Sequence, residues 1–447
     1  MNHNFKVISN FKIEDKKINI VKTLKPGSKI CIQRSQLKPL PIESFKQTND
    51  TMQDVKSRLM RIMGVEPGFK PLLQSREHLS KFTPKSQAEL PTRSMQDSFT
   101  SAIIPLSTDT TLQDKYVTFL GHVRLGRLME DMDLFAVWVV NKHLMIPNLQ
   151  EGTPLPYTLV TVLVDEIDFT DYIPKHDADI RLSGHVSWVG KSSVEVVVWL
   201  EQQSHGSWQK ITRALFLMAA RNPSNTGAAI VNPLEPSTDE EKQIFEGGLN
   251  RKMRRQKISQ ESLFKVIPNE SEQRTIHDLF IQTIESNEQF TSRSLPPSSM
   301  WMEDAKLSNL VFSHPEDRNL HNKVFGGFLM RHALELSWAA GYLHSKHRPK
   351  LEHISDISFH KPVDVSSLLR MHAYIVYTEL KYMQIVVYTD VYDPNTGSSN
   401  TTNVFHYTYS VPDKMQQVIP KTYHEAMMYL DGRRRFQHVK NLNTLGV

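Results

Sequence analysis

The sequence predicts an α+β protein in which a long helix is wrapped by an antiparallel sheet, and it predicts this arrangement twice. The first observation is a repeat, because residues 165–169 (DEIDF) are echoed by residues 355–359 (SDISF). Their separation of roughly 190 residues is longer than the period of a solenoid or a propeller, so it indicates a duplicated domain. The second observation is that each copy has one helical apolar pattern followed by several β-rich segments.

Each copy begins its helical pattern at a glycine. Gly126 precedes apolar residues at helical spacing through Phe135, and Gly327 precedes a similar series through Trp338. This spacing predicts that one face of each helix is buried. The β-rich segments that follow lie at 180–189, 193–202 and 208–219 in the first copy, and at 367–377, 382–391 and 402–411 in the second.

Pattern and composition together divide the chain into six parts. They are a basic N-terminal segment (1–50), an N-terminal helical extension (51–96), a first domain (97–223), a partly helical linker (224–295), a second domain (296–413) and a C-terminal helical tail (414–447). The segment 51–63 has helical spacing. Acidic residues at 239–241 favour a helix start in the linker, because they would lie near the positive end of the helix dipole.

Composition excludes several classes of protein. The chain has no apolar stretch approaching the length of about 20 residues that crosses a bilayer, so we expect no integral membrane segment. Cys31 is the only cysteine, which excludes an intrachain disulfide and a thiolate metal cluster, and we expect no metal. The basic runs at 251–257 and 433–435 lack interleaved aromatic residues. We interpret them as solvent-exposed helix faces and expect no nucleic-acid partner.

The first forty residues carry many lysines and few acidic residues. This bias is typical of an organelle transit peptide, but arginine and serine are scarce and no clear amphipathic helix is present. A disordered basic tail is the alternative, and the residues alone leave both open.

The most informative motif is residues 318–330, RNLHNKVFGGFLM. Gly326 and Gly327 would let the backbone approach another group closely at a helix start, where N–H groups have no partner within the helix. Such a helix start can bind an oxyanion. Phe325 and Gly326 are then candidate substrate contacts. The alternative is a tight turn into a buried helix.

This motif resembles the helix start of the acyl-coenzyme A (acyl-CoA) thioesterases with paired hotdog domains. Residues 184–191 (GHVSWVGK), 403–406 (NVFH) and 429–432 (YLDG) also resemble that family, and the similarity extends over residues 50–436. The resemblance implies hotdog domains that hydrolyse fatty acyl-CoA to free fatty acid and CoA without a cofactor. It also implies a mitochondrial location and assembly as a trimer of double hotdogs, although it fails over the first forty-odd residues.

The resemblance also implies roles for individual residues. The family's catalytic carboxylate lies two helical turns after the glycine, where this sequence has Asp133. The partner asparagine precedes the glycine of the opposite domain and corresponds to Asn322. Backbone N–H groups near Gly327 would stabilise the oxyanion. Asp133 would act either as a general base on water or as a nucleophile that forms an anhydride.

The two copies are expected to be unequal. Aligning Gly126 with Gly327 places Leu334 at the position of Asp133, and Gly121 stands at the position of Asn322. The resemblance therefore implies one working site per chain. Glu335 is the rival base, with a structural pairing in the second helix as its alternative role.

Residues Gly190, Lys191, Ser192 and Ser193 are the candidate contact for the coenzyme. They form a polar turn between two predicted strands, with a cation and hydroxyls that suit phosphate or pantetheine oxygens. An ordinary hairpin turn is the alternative.

Two rival functions remain on the same fold. One is a hydratase or dehydratase, which would require an Asp–His pair near the helix. The other is a non-catalytic acyl-CoA sensor, which would bind the thioester tightly without releasing thiol. The absence of a Gly-x-Ser-x-Gly sequence argues against an α/β-hydrolase.

Overall fold

The computed structural model describes residues 50–62, 75–150, 152–165, 167–169, 172–284, 292–317, 323–365 and 367–444. The basic segment 1–49 and Asn322 lie outside the described residues. The predictions of a transit peptide and of a catalytic asparagine therefore fall on residues for which no structure is given.

The described residues form eight α-helices and fourteen β-strands. The helices are α1 (Met52–Ile62), α2 (Met95–Ser98), α3 (Thr110–Tyr116), α4 (Leu125–His143), α5 (Asp239–Gln260), α6 (Glu270–Ile281), α7 (Gly326–Ser345) and α8 (Tyr423–Thr444). The strands are β1 (Thr100–Ile104), β2 (Thr158–Val164), β3 (Ile167–Phe169), β4 (Ile180–Val189), β5 (Ser193–Ser204), β6 (Ser207–Arg221), β7 (Ser299–Trp301), β8 (Lys306–Phe312), β9 (Lys350–Ile354), β10 (Ile357–Phe359), β11 (Leu368–Glu379), β12 (Tyr382–Tyr392), β13 (Ser399–Ser410) and β14 (Gln417–Ile419).

Twelve of these strands form one antiparallel sheet that runs through both domains. Its order is β1-β4-β5-β6-β2-β10-β13-β12-β11-β8, with β3 pairing β6 and β9, and β9 also pairing β13. The halves are joined where Val164 pairs with Ile357 and where Ile167 pairs with Ile354. The order of the first half is repeated in reverse by the second, as expected for a duplicated domain.

The helices α4 and α7 pack against their own half of the sheet and against each other. A Cβ added to Gly327 would lie 2.6 Å from the Cα of Glu130, and one added to Gly126 would lie 3.0 Å from Cγ of Arg331. Glu130 and Arg331 each lie four residues after their own glycine and form an ion pair at 3.2 Å. A long helix wrapped by antiparallel strands, present twice, confirms the predicted pair of hotdog domains.

The helices α5 and α8 begin with the same cap. The side chain of Thr238 accepts a hydrogen bond from the N–H of Glu241 at 3.2 Å, and that of Thr422 accepts one from the N–H of Glu425 at 3.2 Å. Each cap satisfies an N–H group that has no partner within its helix. The start predicted at residues 239–241 coincides with the first turn of α5.

Both helices pack against equivalent strands, and each makes its close contact at a glycine. A Cβ on Gly248 would lie 2.4 Å from the Cβ of Trp188 in β4, and one on Gly432 would lie 2.7 Å from Cγ2 of Val376 in β11. Each glycine follows its capping threonine at the same spacing. Helix α5, within the segment that the sequence indicates as a linker, is therefore the first domain's counterpart of α8.

The basic run on α5 is solvent-exposed at Lys252 and Lys257, as predicted, but the prediction is wrong for its three arginines. Arg251 pairs with Glu195 at 2.5 Å, while Arg254 and Arg255 contact Asp165 at 2.9 Å and 3.3 Å. Both carboxylates are buried on the sheet, where an ionised group requires a cationic partner. The second basic run is paired as well, through Arg434–Glu272 and Arg435–Asp431.

None of the described helices is both long enough and apolar enough to cross a membrane.

Candidate active site

A cavity of about 440 Å³ lies between the two domains. The first domain contributes α4 and β2 to its wall, and the second contributes the start of α7 and residues 359–363. Asp133 is the only acidic residue that lines this cavity within the described part of the chain. Its side chain is buried, with 2% of the residue exposed.

The carboxylate of Asp133 is held by one hydrogen bond from each domain. Thr161 Oγ1 donates to Oδ1 at 2.7 Å, and the N–H of Gly327 donates to Oδ2 at 2.8 Å. A carboxylate oxygen has two lone pairs, so each oxygen retains capacity to accept a further hydrogen bond from a water molecule.

The start of α7 explains why the carboxylate lies there. Phe325 is the N-cap residue, and its side chain makes no capping hydrogen bond. Asp133 of the opposite domain caps the helix instead, with its negative charge near the positive end of the dipole. A Cβ on Gly326 would lie 3.2 Å from Oδ2 of Asp133 and 3.0 Å from the Phe359 ring. A glycine at this position therefore permits the close approach of the carboxylate.

The environment of Asp133 changes its basicity. Burial raises the pKa of the carboxyl group, and the nearby charge of Glu130 raises it further. The hydrogen bonds from Thr161 and Gly327 lower the pKa but do not offset the effect of burial. The result is a raised pKa, so the carboxylate is a stronger base toward water than an ordinary aspartate.

Sequence reasoning missed Thr161. The register of β2 against β6 shifts between Thr161 and Leu163, which leaves Val162 as the extra residue of a β-bulge. Bulges redirect side chains and occur often beside active sites. A threonine in an apolar strand (TLVTVLV) was the only signal, and it does not reveal which helix the strand covers.

Several known proteins are similar to this chain. Mouse mitochondrial acyl-coenzyme A thioesterase 9 is 40% identical over 400 residues, which covers 88% of this chain and 90% of that protein. The human protein of the same name is 38% identical over 409 residues, covering 91% and 92%. The chain belongs to the acyl-coenzyme A thioesterase family. The predicted function, hydrolysis of acyl-CoA, is thereby confirmed.

No family model matches this thioesterase. Among solved structures, the acyl-CoA hydrolase from Staphylococcus aureus in complex with butyryl-CoA, coenzyme A and coenzyme A disulfide is 20% identical with a TM-score of 0.31. The match covers 33% of this chain and 97% of that one.

The other residues of the glycine motif lie around the cavity of the thioesterase. Phe325 and Gly326 line it, whereas Gly327 directs its N–H to Asp133. The N–H of Gly326, the first residue of α7, makes no hydrogen bond within the described part of the chain. Asn322 lies outside the described residues, next to Lys323 of the cavity wall, and its role stays a prediction.

Glu335, the rival base, is not brought to the cavity. Its carboxylate forms an ion pair with Arg124 at 2.7 Å, and the side chain is 46% exposed. This pairing corresponds to the structural alternative for Glu335.

The turn Gly190, Lys191, Ser192 and Ser193 does not line the cavity either. The N–H of Gly190 donates to the carbonyl of Ser193 at 2.8 Å, and Gln87 donates to the carbonyl of Gly190 at 3.1 Å. The backbone thus forms a hairpin turn between β4 and β5. Coenzyme binding at this turn stays a prediction without a contact to the cavity.

The equivalent position in the second domain has a different chemistry. Leu334 replaces Asp133, and Leu351 replaces Thr161. Leu351 and Thr161 are equivalent because each directly precedes a bulge, in β9 and in β2 respectively. Trp338 stands where Val137 lines the first cavity.

The loop before α4 also differs from its counterpart. Gly121, at the position of Asn322, adopts a φ of +76° that favours glycine over a residue with a side chain.

Proposed function

We propose that this thioesterase hydrolyses fatty acyl-CoA to free fatty acid and CoA at one site per chain, with Asp133 as the catalytic carboxylate. The observation that carries the proposal is that Asp133 is buried and is the only carboxylate among the described residues that line the cavity between the domains. Its raised pKa and its hydrogen bonds from Thr161 and Gly327 suit a fixed, desolvated base.

In the proposed reaction, Asp133 accepts a proton from a water molecule that attacks the thioester carbonyl. The oxyanion is stabilised at the start of α7, where the N–H of Gly326 is the donor that the geometry favours. Asn322 orients the carbonyl or the water, on the strength of the family resemblance. The CoA thiolate leaves without strong acid assistance. Direct attack by Asp133 to form an anhydride is the alternative.

The charges around the cavity support an orientation for the substrate. His360 and Lys361 of the second domain line the cavity and are exposed, whereas Lys323 forms an ion pair with Asp364. The ammonium group of Lys361 suits the phosphates of CoA, and its exposure leaves the hydrophilic nucleotide in solvent. Leu155 and Leu159 belong to the apolar first-domain wall, which suits the acyl chain.

The proposal of one site rests on the two leucines of the second domain. Leu334 and Leu351 provide neither a base nor a donor that could orient one. Trp338 adds an aromatic ring where Val137 leaves space in the first domain. The pseudo-symmetric position therefore supports packing rather than hydrolysis.

The test is thiol release by the Asp133→Asn variant, with Glu335→Gln as the matched control. Loss of a general base is expected to lower kcat by about 10²- to 10⁴-fold. Acyl-CoA binding and circular dichroism should remain those of the parent. Activity of Asp133→Asn within a few-fold of the parent, or a large loss in Glu335→Gln, would overturn the assignment.

The rival functions predict other outcomes in the same assay. A non-catalytic sensor would bind acyl-CoA without releasing thiol in the parent protein. A hydratase would add water to an enoyl-CoA and leave the thioester intact. Thiol release that depends on Asp133 excludes both.

We also propose assembly as a trimer of double hotdogs, as the family resemblance implies. An exposed edge of the sheet supports association, because Leu310 and Phe312 of β8 are 55% and 63% exposed. The counterpart strand β1 is covered, since the N–H of Ile103 donates to the carbonyl of Asp50 at 2.8 Å. Light scattering at micromolar concentration should give three chains, and a monomer would contradict the proposal.

A mitochondrial location is proposed from the relatives, which are named mitochondrial thioesterases. The segment that would carry the signal, residues 1–49, lies outside the described residues. Import of the full chain into isolated mitochondria, compared with a chain that begins at residue 50, tests this point. Equal exclusion of both chains would overturn it.

A further inference from the structure

We propose that Arg76 and Arg221 form an anion subsite at the first-domain end of the cavity, which binds a carboxylate at the far end of the acyl chain. The substrates would then include CoA monoesters of dicarboxylic acids. This inference rests on the proposed catalytic role of Asp133, and it adds a substrate class to the proposed function.

The two arginines are held by neutral groups. Nη1 and Nη2 of Arg76 donate to the carbonyls of Tyr157 and Leu155 at 3.1 Å and 2.7 Å. Nε and Nη2 of Arg221 donate to the side-chain and backbone oxygens of Asn225 at 2.5 Å and 3.1 Å. Both arginines line the cavity, and among the residues that the structure describes neither has a carboxylate partner.

The strand pairing brings the arginines to the same end of β2. Arg221 is the direct partner of Thr158 in the ladder between β2 and β6, and Arg76 binds the carbonyl of Tyr157, the preceding residue. Both arginines are half-buried. Two partly desolvated cations at one end of a cavity, without an acid among the described residues there, favour the binding of an anion.

The distance to the catalytic carboxylate suits an acyl chain. Thr161, which binds Asp133, is three residues beyond Thr158 on β2, so the two positions are about 10 Å apart along the strand and lie on opposite faces of it. The cavity reaches both faces, because the consecutive residues 158–162 all line it. Leu159 and Val137 add apolar side chains to the lining of the cavity. A chain that has a thioester at Asp133 would cross this apolar wall and place its terminal carboxylate near the arginines.

The phosphates of CoA are a poorer fit to this subsite. The pantetheine arm is longer than the separation between Asp133 and the arginines, so it would have to fold within the cavity. His360 and Lys361 also line the cavity and are exposed, so they suit the phosphates, which remain in solvent. An anion beside the half-buried arginines is therefore better supplied by the acyl group.

The experiment compares acyl-CoA esters of equal length that differ only in a terminal carboxylate. These are adipoyl-CoA with hexanoyl-CoA, and suberoyl-CoA with octanoyl-CoA. We expect Arg76→Gln and Arg221→Gln to lower kcat/KM for the carboxylated esters by about 10- to 100-fold, the effect of losing a charge-assisted hydrogen bond. The values for hexanoyl-CoA and octanoyl-CoA should stay within about three-fold of the parent.

Control variants distinguish the two anions that the arginines could bind, a carboxylate on the acyl chain and the phosphates of CoA. Arg221→Lys keeps the charge and should restore part of the activity on the carboxylated esters. Lys361→Gln should affect both members of each pair equally and should weaken inhibition by free CoA. Equal losses on both members in the arginine variants, with weaker inhibition by free CoA, would assign the arginines to the coenzyme and overturn the proposal.

A parent enzyme that hydrolyses hexanoyl-CoA but not the carboxylated esters would also overturn the proposal. The assignment of Asp133 would stand in that case. Failure of the underlying function would appear separately, as an Asp133→Asn variant that still hydrolyses hexanoyl-CoA.

Discussion

Oδ2 of Asp133 in the first domain accepts a hydrogen bond from the N–H of Gly327 in the second domain at 2.8 Å. The bond joins the candidate catalytic carboxylate to the start of the helix that would stabilise the oxyanion. Because the two groups belong to different copies of the repeat, neither domain alone contains the complete arrangement. The duplication therefore permits one copy to provide the carboxylate and the other to provide the helix start.

The first prediction concerns Thr161. Replacing Thr161 with Val removes the hydrogen bond to Oδ1 of Asp133 at 2.7 Å and leaves the carboxylate free to rotate. We expect kcat to fall by about 10- to 100-fold, because a hydrogen bond to a charged group is lost. Steady-state thiol release measures the effect.

Thr158→Val is the matched control on the same strand, since its hydroxyl donates to the carbonyl of Asn222 and not to Asp133. Thr161→Ser keeps the donor and should recover most of the activity. A Thr161→Val enzyme as active as the control would show that the threonine does not position the carboxylate.

The second prediction compares two glycines at equivalent positions. Gly327→Ala should destabilise the protein by about 1–3 kcal/mol, because the new Cβ would meet the backbone of Glu130 at 2.6 Å. Gly126→Ala should cost less, since its nearest neighbour is the flexible side chain of Arg331 at 3.0 Å. Urea denaturation gives both free energies of unfolding, and the reverse order would contradict the observed packing of α4 against α7.

The third prediction concerns pH and stability. Burial raises the pKa of Asp133 in the folded protein, so the folded state binds the proton more tightly than the unfolded state. The ionised carboxylate therefore lowers stability above the folded pKa, and this cost disappears as the pH falls below the unfolded value. Asp133→Asn should unfold at a higher temperature than the parent at neutral pH, with a smaller difference near pH 4.

The same shift predicts the acidic limb of the activity profile. If Asp133 is the base, kcat/KM should fall as pH decreases through a pKa above the ordinary aspartate value of about 3.9. A pH profile of thiol release checks this limb. An Asp133→Asn variant less stable than the parent at neutral pH, or an acidic limb below pH 3.9, would contradict the raised pKa.

The fourth prediction concerns the second domain. Leu334 is buried at the position equivalent to Asp133, so Leu334→Ala should destabilise the protein by about 2–5 kcal/mol through lost burial and a cavity. The folded fraction should keep the turnover of the parent. A folded Leu334→Ala protein without activity would show that the second position takes part in the chemistry.

The sequence predicted individual helices and strands well where the spacing of apolar residues matches the periodicity of the element. The predicted strand 180–189 coincides with β4, and the predicted helix 51–63 differs from α1 by one residue at each end. Alternation and helical spacing reflect the burial of side chains along one element, so they can be read without knowing its neighbours.

Contacts between elements could not be predicted in the same way. Thr161 donates a hydrogen bond to Asp133 because the bulge in β2 lies over α4. Arg76 lines the cavity because its guanidinium binds a backbone carbonyl next to β2. The arginines of the basic run on α5 were misinterpreted for the same reason. Their buried partners Asp165 and Glu195 lie on a different part of the chain and are brought to the helix only by the fold.

The central claim is one productive site per chain, at Asp133. Isothermal titration of the folded protein with a non-hydrolysable thioether analogue of acyl-CoA tests it most directly. The account predicts a stoichiometry of one analogue per chain, because Leu334, Leu351 and Trp338 replace the groups that form the first site. Two equivalent analogues per chain would contradict it.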